Sequence, residues 1–401
     1  MDYKQFIKDM TSRPVTKELA FAESEYRARI ERVRKIMDQK GLDVLLLTFA
    51  PSISYLSGYQ SFGAGHQSCM VLPREGEPIL HMHGLEFGPA MLTSWVKDIR
   101  ATRWGFPGEA AGELMGILKE RGLEKKRVGV ETKRPGLTIE LYEGLKSALI
   151  DGTIIEASDV VAQPRMIKSP AEIEHMRKSA AITLKALAAV LPVIKPGVPD
   201  NQVAAVIYQT LIHEGSEYFS TQPLVSAGQK SGISHTTFRR TPIQRGETVI
   251  LEFGAAYHRY TSAICHTVAV GKPSPEVENI ATVANDSLEL LFQAVKPGRT
   301  ADDVAREVGA KAKQVVGGRP SSSRVYGYSI GLGLPPTWGE DLYFIREGLA
   351  LELKPGMTFH SISGHRVPGK LGALFSETWV VTETGIEILT EHDRKLTVVE
   401  D

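Results

Sequence analysis

Cysteine is nearly absent: Cys69 and Cys265 alone occur in 401 residues, which excludes a disulfide scaffold, a zinc finger and a vicinal redox pair. Charge of one sign is also missing, because 47 Lys and Arg balance 47 Asp and Glu. That balance supplies no field for holding a nucleic-acid backbone or an anionic membrane. No apolar run approaches the length of a membrane span, and Met1-Asp2-Tyr3-Lys4-Gln5-Phe6 lacks the apolar core of a signal peptide. The expectation is a soluble cytoplasmic protein whose partner is a small molecule rather than nucleic acid or membrane.

What is present is ordinary globular material, 42% apolar and 23% charged, in a chain long enough for two domains with their own cores. From Glu23 to Gln39, Tyr26, Ile30, Val33 and Met37 recur at helical spacing, and Gly41 stands where a C-terminal cap belongs. Asp43–Thr48, Val128–Glu131 and Thr153–Glu156 read as strands covered on both faces. Residues 1–164 are thus predicted to form a smaller α/β domain, and 165–401 a second domain. The second opens on Ile167-Lys168-Ser169-Pro170-Ala171-Glu172-Ile173, where Ser169 caps a helix, Pro170 fills its first position and Glu172 completes a capping box.

That helix ends in Lys195-Pro196-Gly197, and a shorter one capped by Asp200 follows to Gly215. After Pro275 the pattern returns: a long helix, Lys296-Pro297-Gly298, then a helix capped by Thr300 with Asp303 and running to Gly317. Two copies with strand-rich inserts around 248–270 and 357–389 predict a pseudo-twofold α+β domain of repeated ααβ units.

Phosphate-binding glycine loops, His-Glu-x-x-His and a nucleophile elbow are lacking. The polar residues instead lie in dispersed segments: Ser226–His235, Ile250–Tyr257, Arg259–Thr267, Gly327–Gly331, Leu353–His360 and Phe375–Glu377. With the Lys-Pro-Gly turns and Thr382–Glu387, these resemble the creatinase/prolidase (pita-bread) superfamily, which implies a creatinase-like N-terminal domain before a pita-bread catalytic domain. The superfamily's peptidases hold two metals with two Asp, one His and two Glu. By the resemblance those positions are occupied here by Glu252, Ala263, Tyr328, Ile362 and Glu377, so no metal or other cofactor is expected. His235 matches the superfamily's substrate-side His.

The resemblance is nearest to the metal-independent branch, above all ectoine hydrolases, through Gly327-Tyr328-Ser329-Ile330-Gly331, Pro335–Glu340, Leu353–His360 and Ser376-Glu377. Creatinase is the poorer match: its carboxylate-binding arginines fall on His66 and Glu340. The implied activity is metal-free hydrolysis of a C–N bond in a small amidine, amide or guanidino compound, ectoine first, by a homodimer. Two carboxylates and an imidazole supply an attacking oxygen and a proton for the leaving nitrogen, so Glu252, Glu377 and His235 are the expected catalytic residues. The residues expected to bind a nitrogenous substrate are His66, Tyr328, Trp338, Glu340, His360 and Tyr260. The alternatives are an Xaa-Pro peptidase-like metallopeptidase variant with a degenerate metal site, and a non-catalytic module binding peptides or small molecules.

Overall fold

The computed structural model describes residues 2–61, 68–149, 152–315 and 324–400. The chain divides into two compact units, Met1–Arg165 and Met166–Asp401.

In the first unit, α1 (Tyr3–Thr11), α2 (Glu23–Lys40), β1 (Val44–Leu47), α3 (Ala50–Ser57), β2 (Ser68–Pro73) and β3 (Ile79–His83) come first. Then follow α4 (Phe87–Thr93), β4 (Asp98–Thr102), α5 (Ala110–Glu120), β5 (Arg127–Val130), α6 (Ile139–Ala148), β6 (Thr153–Glu156) and α7 (Ser158–Arg165). Helix α2 stops where its glycine predicts: Gly41 takes a left-handed φ of 64°, and the Gly41 and Leu42 N–H groups close on Asp38 and Met37. The six strands run in the order β4-β3-β2-β1-β5-β6, parallel except at β1–β2 and β2–β3. Val44, Leu46 and Val128 of the sheet pack with Leu114 and Leu118 of α5 and Leu141 of α6.

The second unit opens on α8 (Pro170–Val190), with the expected capping box. Ser169 Oγ accepts the Glu172 N–H at 3.4 Å, and Glu172 Oε2 accepts the Ser169 N–H at 2.9 Å. Next come α9 (Asp200–His213), β7 (Leu224–Ala227), β8 (Thr248–Tyr257), β9 (Tyr260–Val270), α10 (Pro275–Ala294) and α11 (Ala301–Val315). The C-terminal strands are β10 (Val325–Leu334), β11 (Thr337–Arg346), β12 (Thr358–Val367), β13 (Leu371–Val381), β14 (Ile386–Ile388) and β15 (Thr397–Val399). The expected end of α11 at Gly317 lies outside the described residues. Asp200 does not cap α9 as expected. Its carboxylate instead accepts the N–H groups of Arg239 and Thr241 and pairs with Lys230.

The two halves repeat one construction. Gly197 donates to Ile243 at 2.8 Å while Ile243 donates to Val198; Gly298 donates to Leu353 at 2.9 Å while Leu353 donates to Arg299. Both glycines sit at φ 84°, which a residue with a Cβ adopts only with strain. The sheet runs β11-β10-β12-β13-β9-β8-β7, all antiparallel, with β14 on β13 and β15 parallel to β9. Helices α8 and α9 pack on Leu251, Phe253 and Ile264; α10 and α11 pack on Phe359, Phe375 and Trp379. This α+β architecture buries one face of the sheet under two helix pairs, and side chains of opposite parity point to the other face.

Candidate active site

Strand register decides which polar residues meet. Glu252 pairs with Cys265, Cys265 with Ser376, and Ser376 with Ile362. These four form one row across β8, β9, β13 and β12, facing away from the helices. Tyr328 pairs with His360, and His360 with Thr378, in a neighbouring row of the same face.

The Glu252 carboxylate has no hydrogen bond from the described residues, and its side chain is partly exposed. Burial pushes its pKa up from the ordinary 4.5, while the charges of Arg366 and His235 pull it down. A tie to Arg259 would have made Glu252 a structural carboxylate, but that guanidinium lies over the Tyr218 ring, 3.6 Å from its centroid. His235 is exposed on the loop before β8 in a left-handed conformation, φ 56°. Arg366, not foreseen from the sequence, is anchored by donating to the Ser231 carbonyl at 2.7 Å. Its only signal was a charged residue inside a β-run, too common to single out.

The Cys265 thiol is fully buried and held well above its ordinary pKa by burial and then by the charge of Glu252. It is no thiolate nucleophile. Burial, with the charge of Glu252, likewise raises the Tyr328 phenol, so it keeps its proton. Trp338 Nε1 donates to the Tyr328 oxygen at 2.8 Å, and the His360 ring lies 5.4 Å from Tyr328 and 6.0 Å from Trp338. Burial drops the His360 pKa to about 3, so its imidazole is neutral. His360 Nε2 and Ser376 Oγ are buried and have no hydrogen-bond partner among the described residues.

Of the expected residues, then, Glu252, His235, Tyr328, Trp338 and His360 fall together; others do not. Glu377 lies one residue beyond Ser376, so its side chain turns to the helix side of the sheet. There it is fully buried, accepting from Thr390 Oγ1 at 2.7 Å and Arg394 at 3.1 Å, with His392 Nδ1 at 3.1 Å. The side chain that faces Glu252 from this strand is Ser376. Tyr260 also points to the helices, where its hydroxyl donates to Glu172 Oε1 at 2.8 Å. Glu340 is buried in an ion pair with Lys168 at 2.5 Å, which ties up the carboxylate meant for substrate. His66 lies outside the described residues.

The positions that would hold two metals carry Glu252, Ala263, Tyr328, Ile362 and, by register, Ser376: one carboxylate and no imidazole. Among the described residues no three His, Cys, Asp or Glu side chains are grouped to hold a metal ion. This donor set does not fit a dinuclear centre. No helix among the described residues is long and apolar enough to cross a membrane.

Comparison with known proteins agrees with this architecture. Residues 29–167 match the Creatinase/Prolidase N-terminal domain, and 174–383 match Metallopeptidase family M24. The ectoine hydrolase of Halomonas elongata is 29% identical over 398 residues, 95% of this chain and 98% of that one. The Xaa-Pro dipeptidase of Pyrococcus furiosus is 25% identical over 376 residues, covering 92% and 99%. The crystal structure of dipeptidase PepE from Mycobacterium ulcerans superposes with a TM-score of 0.81 at 25% identity, covering 95% of this chain and all of that one. The second unit therefore has the pita-bread fold, and the chain belongs to Metallopeptidase family M24, with a Creatinase/Prolidase N-terminal domain before it.

Proposed function

We propose that the protein is a metal-independent hydrolase of a C–N bond in a small amidine-type compound, with ectoine or a close analogue as substrate. The observation that carries this reading is the row Glu252–Cys265–Ser376–Ile362. Among the described residues Glu252 is the one carboxylate in this row, on a face whose family counterparts chelate metal. In this reading Glu252 attacks the amidine carbon and forms an acyl-type intermediate that water then opens. Tyr328, which keeps its proton, protonates the departing nitrogen, and exposed His235 exchanges protons with solvent. Arg366 favours the ionised form of Glu252 against its burial, and the Tyr328 and Trp338 rings wall the flat cation. Glu377 has no part in the chemistry.

Similarity to the Halomonas ectoine hydrolase supports the substrate class. The competing reading, an Xaa-Pro peptidase, draws on the Pyrococcus relative but requires metal donors that the described residues do not group together. Proton NMR of chelator-treated protein with ectoine tests the proposal. Ring opening that persists in chelator and falls at least about a thousandfold in Glu252→Gln is the expected result. Metal-dependent turnover of an Xaa-Pro dipeptide, or near-normal ectoine turnover by the variant, overturns it.

A further inference from the structure

The hydrogen bonds around His360 determine which of its nitrogens carries the proton. Thr378 Oγ1 has one hydrogen, and it points to the Ala263 carbonyl at 2.9 Å; the same oxygen accepts the Ala263 N–H at 2.9 Å. Against His360 Nδ1, 3.3 Å away, Thr378 therefore has only a lone pair left to offer. That lone pair demands a proton on Nδ1, which leaves Nε2 as a bare lone pair. That atom is buried beside the Tyr328 and Trp338 rings, without a partner among the described residues.

We propose that His360 is a specificity-determining residue that accepts a hydrogen bond through Nε2 from an N–H of the substrate, selecting a planar nitrogen cation over an isosteric carboxylate. The inference rests on the amidine reading of the site and gives the substrate-binding role expected of His360 a definite chemical sense, that of an acceptor. A buried acceptor left empty carries its full desolvation penalty, so a ligand offering only oxygen lone pairs leaves it unsatisfied and is repelled by it. Glu252 and Ser376 Oγ supply further acceptors on the same face.

Nitrogen-15 NMR of histidine-labelled wild-type protein reads the tautomer directly. The expected spectrum shows His360 protonated at Nδ1, with an Nε2 resonance that moves on adding acetamidinium and not on adding acetate. A proton on Nε2, or a resonance insensitive to acetamidinium, overturns the proposal without any variant. In His360→Asn the amide nitrogen still reaches Thr378 but offers no acceptor at the Nε2 position, and acetamidinium binding is expected to weaken roughly tenfold or more. In His360→Gln the side-chain oxygen replaces Nε2, and binding is expected to stay within about threefold. Equal losses in both variants would mean His360 only fills space. Failure of ectoine turnover with an intact acetamidinium response would sink the proposed reaction and leave this inference standing.

Discussion

At the residue scale the proposed reaction depends on the ionisation of Glu252. Burial raises its pKa above 4.5, and attack on carbon needs the anion. The kcat/KM of the free enzyme is therefore expected to rise with pH through a half-point above the ordinary carboxylate value, and a half-point below 4.5 would remove Glu252 from the role. The same raised pKa means that the folded state binds this proton more tightly than the unfolded chain. Its stabilising contribution is present below the unfolded pKa and lost as pH rises through the folded one. Glu252→Gln removes the desolvated charge, so urea unfolding at neutral pH is expected to show no loss of stability, and a gain on the order of 1 kcal/mol. The acceptor sense of His360 belongs to this scale too, since one Thr hydroxyl, already committed to Ala263, sets it.

At the element scale, local chemistry predicts the helices. Ser169, Pro170 and Glu172 start α8 where their types and order require, and Thr300 with Asp303 starts α11 by the same reciprocal bonds, 3.1 and 3.4 Å. Strand existence is equally legible in β8, β9, β12 and β13. Which way a strand residue faces is not, because a shift of one position moves a side chain through the sheet. That is why Glu377, beside the row-forming Ser376, and Tyr260, beside the site strand's odd-numbered residues, turn to the helices. Glu340 differs: β11 carries it into contact with Lys168, which precedes α8, and no local pattern announces a pairing across that sequence distance. Lys168→Met removes the ion-pair partner of buried Glu340 and is expected to cost about 3 kcal/mol in denaturant unfolding. Intact stability with a raised KM would instead return Glu340 to substrate binding.

At the scale of the whole molecule, the Glu377 cluster fastens the C-terminal segment to the second unit. Thr390, His392 and Arg394 converge on Glu377, Asn285 of α10 donates to the Arg394 carbonyl at 2.8 Å, and β15 pairs with β9. Burial alone would lower the His392 pKa, but its hydrogen bond and charge interaction with Glu377 outweigh that and hold it above 6.5. The sign follows: this contribution is fully present below about 6.5 and lost as pH rises through the folded value. Wild type is expected to lose stability between about pH 6 and pH 9 by an increment that His392→Gln lacks, measured by urea unfolding. An identical pH slope in the variant would remove His392 from this role. The sequence by itself determined the α/β and α+β halves and the repeated helix pairs with their Lys-Pro-Gly turns, because caps, periodicity and turns act over a few residues. Tertiary structure alone decided that Ser376 faces Glu252, that Arg366 stands beside it and that His360 presents a lone pair. Those facts arise from register across five strands, where residues far apart in the chain become neighbours and a single step in pairing exchanges one face for the other.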